Sequence, residues 1–301
     1  RAGLVTGDEG LVGFTQDGGA TWRTTHGLPF ERVQSFAVNG DVVAALDSQS
    51  LVVSSDGGQT FKVAAIPKYA RGALLAVHIT DAGAVYTSGK LGLILKSEGS
   101  LEHWLPLNTG ETNRTQLNRL FEVGSNLYAA SKDGGLLRSS NEGASWRPIP
   151  LGLNGEVLLM TGQGDTVLAI MASKGQGGWL LRSQSGGAHF SVLQTFQSMW
   201  LGETRPTSLF EFDDATIRWA GKASTNGGLS WNREPDARRG RYDLGGGVRA
   251  NVSNGRLFVY GPNQEYEAAV ILPILDGHVT CDEATGCWLF GRGQVYRSSA
   301  Q

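Results

Sequence analysis

Three arginines and a tyrosine stand close together late in the chain, at Arg238, Arg239, Arg241 and Tyr242. Planar guanidinium groups form paired hydrogen bonds with carboxylates and phosphates, and arginine and tyrosine are enriched where protein interfaces gain most of their energy. The group therefore predicts contact with an acidic peptide or a lipid head group. The alternative interpretation is a solvated loop whose charge is partly offset by Asp236 and other acidic neighbours.

A smaller group of the same composition contains Lys68, Tyr69 and Arg71, and Arg114 lies in another polar segment. We predict that these four residues also contact a partner, because cations beside an aromatic side chain are typical of binding surfaces. The organisation of the chain, described below, predicts that they lie on loops.

The residue types needed for catalysis do not come together in the sequence. Asp213 and Asp214 are adjacent, as are Asp8 and Glu9. Adjacent residues of a strand point to opposite faces, so neither pair is predicted to form an acid–base dyad. The five histidines lack the spacing of metal ligands. We predict a chain with no catalytic residues, no bound metal and no cofactor.

The two cysteines of the chain are Cys281 and Cys287, and the residues between them suit a turn that joins two strand ends. This spacing allows a disulfide, and a disulfide predicts an oxidising compartment. The sequence begins at Arg1, without a methionine or an apolar targeting segment. We expect a mature or trimmed product of an exported protein, located in the periplasm or a similar compartment and either free there or held at the membrane by a partner or a lipid anchor.

A short phrase of the form Ser-x-Asp-x-Gly-x-Thr-Trp recurs along the chain. A repeat at a regular period indicates a fold built from repeated structural units. Its central positions lie 39, 85, 44 and 41 residues apart, and the interval of 85 holds a degenerate copy near Trp104. The central and aromatic residues of the copies are Asp17 and Trp22, Asp56 and Phe61, Asn141 and Trp146, Ser185 and Phe190, and Asn226 and Trp231.

Each copy of the phrase predicts a tight turn between two strands. A short carboxylate or amide side chain accepts hydrogen bonds from backbone N–H groups just beyond it, and the glycine that follows allows a positive φ. The aromatic residue belongs to the flanking strand, where its ring covers the edge of the core. We predict a structural role for these residues.

Each period of about 42 residues contains four short strands separated by turns, as at 117–123, 127–131, 135–139 and 145–149. Four-stranded units at this period predict an all-β fold, a β-propeller of antiparallel blades, since a ring of stacked sheets leaves no long exposed edge. Dividing 301 residues by the period gives seven blades, with eight as the alternative. We predict one domain, 1–301, in which 232–276 forms a degenerate blade.

In antiparallel blades, the turn between the second and third strands lies at the same end as the link to the next blade, and the repeat phrases lie at the other end. Links are also the least repetitive segments, where binding residues are usually found on a rigid scaffold. The main links are predicted at 67–71, 109–119, 197–205 and 233–243. They contain all of the predicted partner contacts.

Composition argues against two other classes of protein. The net charge of −2 and the lack of basic runs do not favour binding to nucleic acid. No unbroken apolar stretch has the length of a transmembrane helix, so the chain is not predicted to span a membrane.

The phrase resembles the Asp-box, or BNR repeat, and the stretch from Gly7 to Trp22 resembles the Ycf48 photosystem II assembly-factor family and its bacterial relatives. This resemblance implies an exported, non-catalytic propeller that assembles or supports a membrane protein complex. Its partner would be a membrane protein or a subunit of such a complex. The alternative is a glycan-binding or sialidase-like glycoside hydrolase propeller, although the sequence lacks the Arg-Ile-Pro of sialidases.

Overall fold

The structure is a computed structural model of the 301-residue chain. It describes residues 3–6, 12–15, 23–25, 33–39, 41–47, 49–58, 60–97, 101–110, 115–173, 177–196, 211–213, 216–219, 222–233, 242–243, 249–253, 256–260, 265–271, 278–282, 286–291 and 294–297.

The described residues form 30 β-strands, two 3₁₀ turns and no α-helix. The 3₁₀ turns lie at Lys68–Ala70 and Lys90–Gly92. The strands are β1 (Gly3–Thr6), β2 (Val12–Thr15), β3 (Arg23–Thr25), β4 (Ser35–Asn39), β5 (Val42–Leu46), β6 (Leu51–Ser54), β7 (Lys62–Val63), β8 (Leu74–Ile79), β9 (Val85–Gly89), β10 (Ile94–Ser97), β11 (Trp104–Pro106), β12 (Leu117–Val123), β13 (Asn126–Ser131), β14 (Leu136–Ser139), β15 (Arg147–Pro148), β16 (Glu156–Gln163), β17 (Thr166–Ser173), β18 (Gly177–Ser183), β19 (Ser191–Phe196), β20 (Glu211–Asp213), β21 (Thr216–Trp219), β22 (Lys222–Ser224), β23 (Asn232–Arg233), β24 (Tyr242–Asp243), β25 (Arg249–Ser253), β26 (Arg256–Tyr260), β27 (Glu265–Ile271), β28 (His278–Asp282), β29 (Gly286–Gly291) and β30 (Gln294–Arg297).

Within the described residues, these strands pair into eight sheets in which neighbours in space are neighbours in sequence, and the paired strands among β4 to β30 are antiparallel. Two sheets have three strands, β1–β3 and β28–β30. The other six have four strands: β4–β7, β8–β11, β12–β15, β16–β19, β20–β23 and β24–β27. The prediction of an all-β chain built from four-stranded antiparallel units is confirmed. The number of blades, seven or eight, stays a prediction.

Sequence periodicity located the strands closely where the repeat is regular. The strands predicted between 117 and 149 are β12 to β15, and their bounds differ from the prediction by at most two residues. The segment 232–276, which has no clear phrase, still forms the sheet β24–β27.

Two predicted links were wrong at their ends. The link 109–119 stops short of Leu117, where β12 begins. The link 233–243 is bounded by Arg233, which ends β23, and by Tyr242, which begins β24 with its Cα opposite that of Ala250. Arg119, Arg233 and Tyr242 belong to strands because they pair with a neighbouring strand. Their sequence context lacks the apolar alternation that predicts a strand.

The chain divides into two compact units. The larger unit contains Thr6–Val12 and Thr25–Leu201, and strands β4 to β19 all lie in it. The smaller unit contains Arg1–Val5, Gly13–Thr24 and Gly202–Gln301, with strands β20 to β30. That 1–301 is one domain stays a prediction. Within the described part of the chain, no helix is long and apolar enough to cross a lipid bilayer.

In the larger unit, the first strands of successive sheets lie side by side, with β4 against β8, β8 against β12, and β12 against β16. The second strands of the four sheets, β5, β9, β13 and β17, are almost entirely buried. Burial along the whole of each strand indicates that it is covered by packing on both sides of its sheet. Stacking of this kind is what a propeller requires of consecutive blades.

The repeat phrase forms the same turn in four sheets. A buried serine at the end of the third strand accepts a hydrogen bond from the N–H of the glycine four residues later. These bonds are Gly58 to Ser54 at 2.7 Å, Gly143 to Ser139 at 2.8 Å, Gly187 to Ser183 at 2.9 Å and Gly228 to Ser224 at 2.8 Å. The serine hydroxyl therefore replaces a backbone carbonyl as the acceptor inside the turn, a role that sequence analysis did not predict.

The central residue of the phrase bonds further along the turn. The Oδ1 atoms of Asp56, Asn141 and Asn226 each accept a 2.9 Å hydrogen bond from the N–H four residues later. The aromatic residue that follows packs inward: Trp146 is buried with Tyr86 and other core side chains. Phe61, Trp146 and Trp231 all lie just before a fourth strand, at the edge of a sheet.

Candidate functional site

The two ends of the sheets in the larger unit carry different segments. Lys90 lies in the turn between β9 and β10, and its Nζ donates a 3.0 Å hydrogen bond to the carbonyl oxygen of Gly72 in the preceding link. Gly92 N, in the same turn, donates a 2.9 Å bond to Thr115 O in the following link. Links and second turns therefore share one end, which we call the link end.

The repeat phrases lie at the opposite end, beside the turns between first and second strands. Gly57 N donates to Asp41 O at 2.8 Å, and Gly186 N donates to Asp165 O at 3.0 Å. We call this the phrase end.

The predicted partner contacts Lys68, Tyr69 and Arg71 lie at the link end. Lys68 and Tyr69 form a 3₁₀ turn with Ala70, and Arg71 follows it. Ala70 is fully buried and anchors the turn, whereas the Tyr69 side chain is 61% exposed. Lys68 and Arg71 are also exposed.

Two residues of the neighbouring turn extend this surface, and sequence analysis missed both. Lys90 is exposed, and Leu91 is 77% exposed. The backbone of Leu91 lies in the left-handed region, with φ 57° and ψ 31°, a conformation that costs a residue with a side chain about 1 kcal/mol or more. We call Lys68, Tyr69, Arg71, Lys90 and Leu91 the basic rim.

A cavity of about 320 Å³ lies along the first strands β4, β8 and β12. It reaches their link ends, since Ser35 is the first residue of β4 and Asn118 the second residue of β12. Phe36 lines it and is 55% exposed, and Arg119 and His78 line its other strands. We call this the first-strand cavity.

Glu156 fixes the polar wall of the first-strand cavity. Its Oε1 accepts a 2.8 Å hydrogen bond from Arg119 Nε and a 2.7 Å bond from Asn118 Nδ2. Asn118 stands at a β-bulge, between the residues of β12 whose register with β13 shifts. A bulge re-aims neighbouring side chains, and here it brings two successive side chains to the same carboxylate.

His78 and Glu122 form a second polar pair on these strands. His78 Nε2 lies 3.5 Å from Glu122 Oε2, and the same oxygen accepts a 2.8 Å hydrogen bond from Asp81 N. Burial lowers the pKa of His78, and this outweighs the raising effect of the neighbouring carboxylates of Glu122 and Asp81. The imidazole is therefore held mainly neutral near pH 7.

Several predicted site residues lie outside the described residues. They are Arg114, Arg238, Arg239, Arg241, Asp17 and Trp22. Tyr242 is described through its backbone, in β24. The Cα atoms of Cys281 and Cys287 face each other across the β28–β29 pair, and the disulfide stays a prediction. Among the described side chains, no three His, Cys, Asp or Glu residues form a group that could hold a metal ion.

No protein-family model matches the chain, and no curated protein sequence matches it significantly. Solved structures do match. Ycf48 bound to a D1 peptide aligns with a TM-score of 0.57 at 17% sequence identity, over 86% of this chain and 86% of that chain. Ycf48 from Cyanidioschyzon merolae aligns with a TM-score of 0.53 at 18% identity, over 88% of this chain and 89% of that chain.

An ancestral GH74 enzyme aligns with a TM-score of 0.55 at 12% identity, over 99% of this chain and 44% of that chain. The chain thus spans less than half the length of that enzyme. Likenesses at these identities show the fold, and the fold is a β-propeller. The predicted fold class, and the predicted resemblance to Ycf48, are confirmed.

Proposed function

We propose that this chain is an exported, non-catalytic β-propeller that binds a segment of a membrane protein at its link end and serves as an assembly factor or accessory subunit of a membrane protein complex. The observation that carries the proposal is the first-strand cavity, whose lining includes an exposed Phe36 on β4 and a fixed Arg119 on β12. The fold supports it as well, because Ycf48 has been solved with a bound D1 peptide.

The cavity is organised before any partner arrives. Glu156 holds the Nε edge of the Arg119 guanidinium, and the Arg119 side chain keeps 41% of its surface exposed. Ordering an arginine in advance reduces the entropy that binding must overcome. Phe36 supplies a large apolar surface that the fold itself leaves uncovered.

The predicted contacts at Arg114, Arg238, Arg239, Arg241 and Tyr242 belong to the same proposal. They lie on predicted links, which in an antiparallel blade are found at the end where the first strands begin. The disulfide between Cys281 and Cys287 would suit the periplasm or another exported compartment.

A glycan-active propeller is the alternative. In the described first strands β4, β8, β12 and β16 there is no tryptophan to stack on a sugar ring. Glu156 is engaged by Asn118 and Arg119, and Glu122 by Asp81 N. Turnover of aryl glycosides, abolished by one acidic substitution, would favour the alternative.

Affinity capture from the solubilised native membrane tests the proposal, with the captured proteins identified by mass spectrometry. The wild-type chain should retain one membrane-protein subunit, and the double variant Phe36→Ser, Arg119→Gln should retain at least tenfold less of it. The matched control is Lys62→Gln, Val63→Ser, which removes one exposed cation and one exposed apolar side chain from the outermost strand β7. Equal capture by both variants would overturn the proposal.

A further inference from the structure

The basic rim combines three cations with two protruding apolar side chains. Its two segments are joined by backbone and side chain, since Lys90 N donates to Ala73 O at 2.8 Å and Lys90 Nζ to Gly72 O at 3.0 Å. Gly89 allows this approach, because a Cβ there would collide with Ala73 O. The two exposed tips, Tyr69 and Leu91, therefore lie on segments that these bonds hold together.

The charge of the rim is not neutralised within the described residues. No carboxylate there forms an ion pair with Lys68, Arg71 or Lys90. The described link-end segments 64–73 and 89–93 contain no acidic residue. The nearby turn between β5 and β6 contains Asp47, which is buried and accepts hydrogen bonds from Gln49 N and Ser50 N. Within the part of the chain that the structure describes, the rim therefore carries three cations with no carboxylate paired to them.

The apolar tips protrude from this surface. Leu91 is 77% exposed and Tyr69 is 61% exposed, the first- and third-largest values among the large hydrophobic residues in the described part of the chain. Leu91 also holds a left-handed backbone, where glycine would be relaxed. A leucine kept in that conformation at the tip of a turn points to a use for its side chain outside the fold.

We propose that the basic rim is a docking surface for an anionic lipid bilayer. Lys68, Arg71 and Lys90 contact the lipid head groups, while Tyr69 and Leu91 enter the interfacial region between them. Basic side chains attract a peripheral protein to anionic lipid, and aromatic and aliphatic side chains anchor it at the head-group boundary. This inference goes beyond the proposed function, because it needs no protein partner.

Protruding tips favour a bilayer over an acidic polypeptide. A polypeptide partner would have to supply a surface shaped to receive the two exposed side chains of Tyr69 and Leu91. A fluid interface accommodates single protruding side chains without a complementary shape. Docking along this edge would also place the link end against the membrane, where the proposed partner resides.

Vesicle co-sedimentation of the full chain tests the proposal without any partner protein. The vesicles contain phosphatidylcholine with or without a third of phosphatidylglycerol. The chain should sediment with the anionic vesicles and not with the neutral ones, and high salt should release it. The triple variant Lys68→Gln, Arg71→Gln, Lys90→Gln should bind at least tenfold more weakly, since each basic residue near an anionic surface contributes about fivefold.

Leu91→Gly separates binding from folding, because it removes the side chain and relaxes the left-handed backbone. This variant should be at least as stable as the wild type and yet bind the anionic vesicles more weakly. The control Lys62→Gln, Val63→Ser should bind like the wild type. Equal binding to neutral and anionic vesicles, or wild-type binding by the triple variant, would overturn the proposal. Loss of partner capture by the triple variant with vesicle binding intact would assign the rim to a polypeptide instead.

Discussion

The hydroxyl of Tyr128 donates a 3.0 Å hydrogen bond to the carbonyl oxygen of Gly186, in the phrase turn of the next sheet. Tyr86 makes the same contact one repeat earlier, with Glu142 O at 3.0 Å. Both tyrosines are almost fully buried, and burial raises the pKa of each phenol. Each phenol therefore stays protonated and serves as a donor that fastens one sheet to the next.

Tyr128→Phe should lower the free energy of unfolding by about 1–2 kcal/mol, because it leaves the Gly186 carbonyl without this donor. Urea denaturation followed by tryptophan fluorescence measures the change. Tyr69→Phe is the matched control, since Tyr69 is 61% exposed and no hydrogen bond of its hydroxyl is seen among the described residues. Equal effects of the two substitutions would contradict the fastening role.

Gly187→Ala should lower the free energy of unfolding by about 3 kcal/mol. The φ of Gly187 is +78°, and a Cβ there would collide with the Tyr128 hydroxyl. The backbone term contributes about 1 kcal/mol and the overpacking the remainder. Gly164→Ala isolates the backbone term, because Gly164 has φ +57° with open space around it. The denaturant midpoints of both variants are compared. If Gly187→Ala lowers the free energy of unfolding no more than Gly164→Ala does, the Tyr128 hydroxyl moves aside without measurable strain.

The substitutions Asp56→Asn and Asp56→Ala should have very different effects on the stability of the fold. Asn141 and Asn226 already make the same Oδ1 hydrogen bond, and their Nδ2 atoms donate to Ser145 and Ser230 at 2.9 and 2.8 Å. Asparagine should therefore change the stability by less than about 0.5 kcal/mol, and alanine should lower it by about 1–2 kcal/mol. Thermal unfolding of both variants measures the difference. A charge-dependent role would instead make both substitutions equally costly.

The stability of the wild type should fall at acid pH more than that of His78→Gln. The folded-state pKa of His78 is lowered from 6.5 by burial. As the pH falls below about 6.5, His78 is protonated in the unfolded chain but not yet in the folded chain. Proton binding therefore favours the unfolded state, and the free energy of unfolding falls until the pH reaches the lowered pKa of the folded state. Free energies of unfolding are measured for both proteins from neutral to acid pH. Parallel curves would show that His78 is not protected from protonation.

Much of the fold was predictable because the phrase marks the same turn in four of the described sheets. Side chains such as Ser54 and Asp56 close a local turn with local hydrogen bonds, so short spacing was enough. The link position of Lys68 and Tyr69 followed from the strand count. The contribution of Lys90 and Leu91 did not, because a turn of ordinary composition gives no sign of a left-handed leucine.

The polar wall of the first-strand cavity escaped prediction for another reason. Arg119 and Glu156 are 37 residues apart, and Asp81 and Glu122 are 41 apart. In a stack of repeated sheets, residues about one period apart become neighbours. Aligning the first strands of successive periods would have indicated these pairs, whereas a search for nearby motifs in sequence had no means of joining them.

Site-specific photocrosslinking in the native membrane tests the central claim most directly. A benzophenone side chain replaces Phe36 in the first-strand cavity or, as the control, Leu105, a 43% exposed residue of the outermost strand β11. The proposed function predicts that position 36 crosslinks to a segment of a membrane protein and that position 105 does not. Crosslinks to that protein from position 105 alone, or with equal yield from both, would contradict binding at the link end.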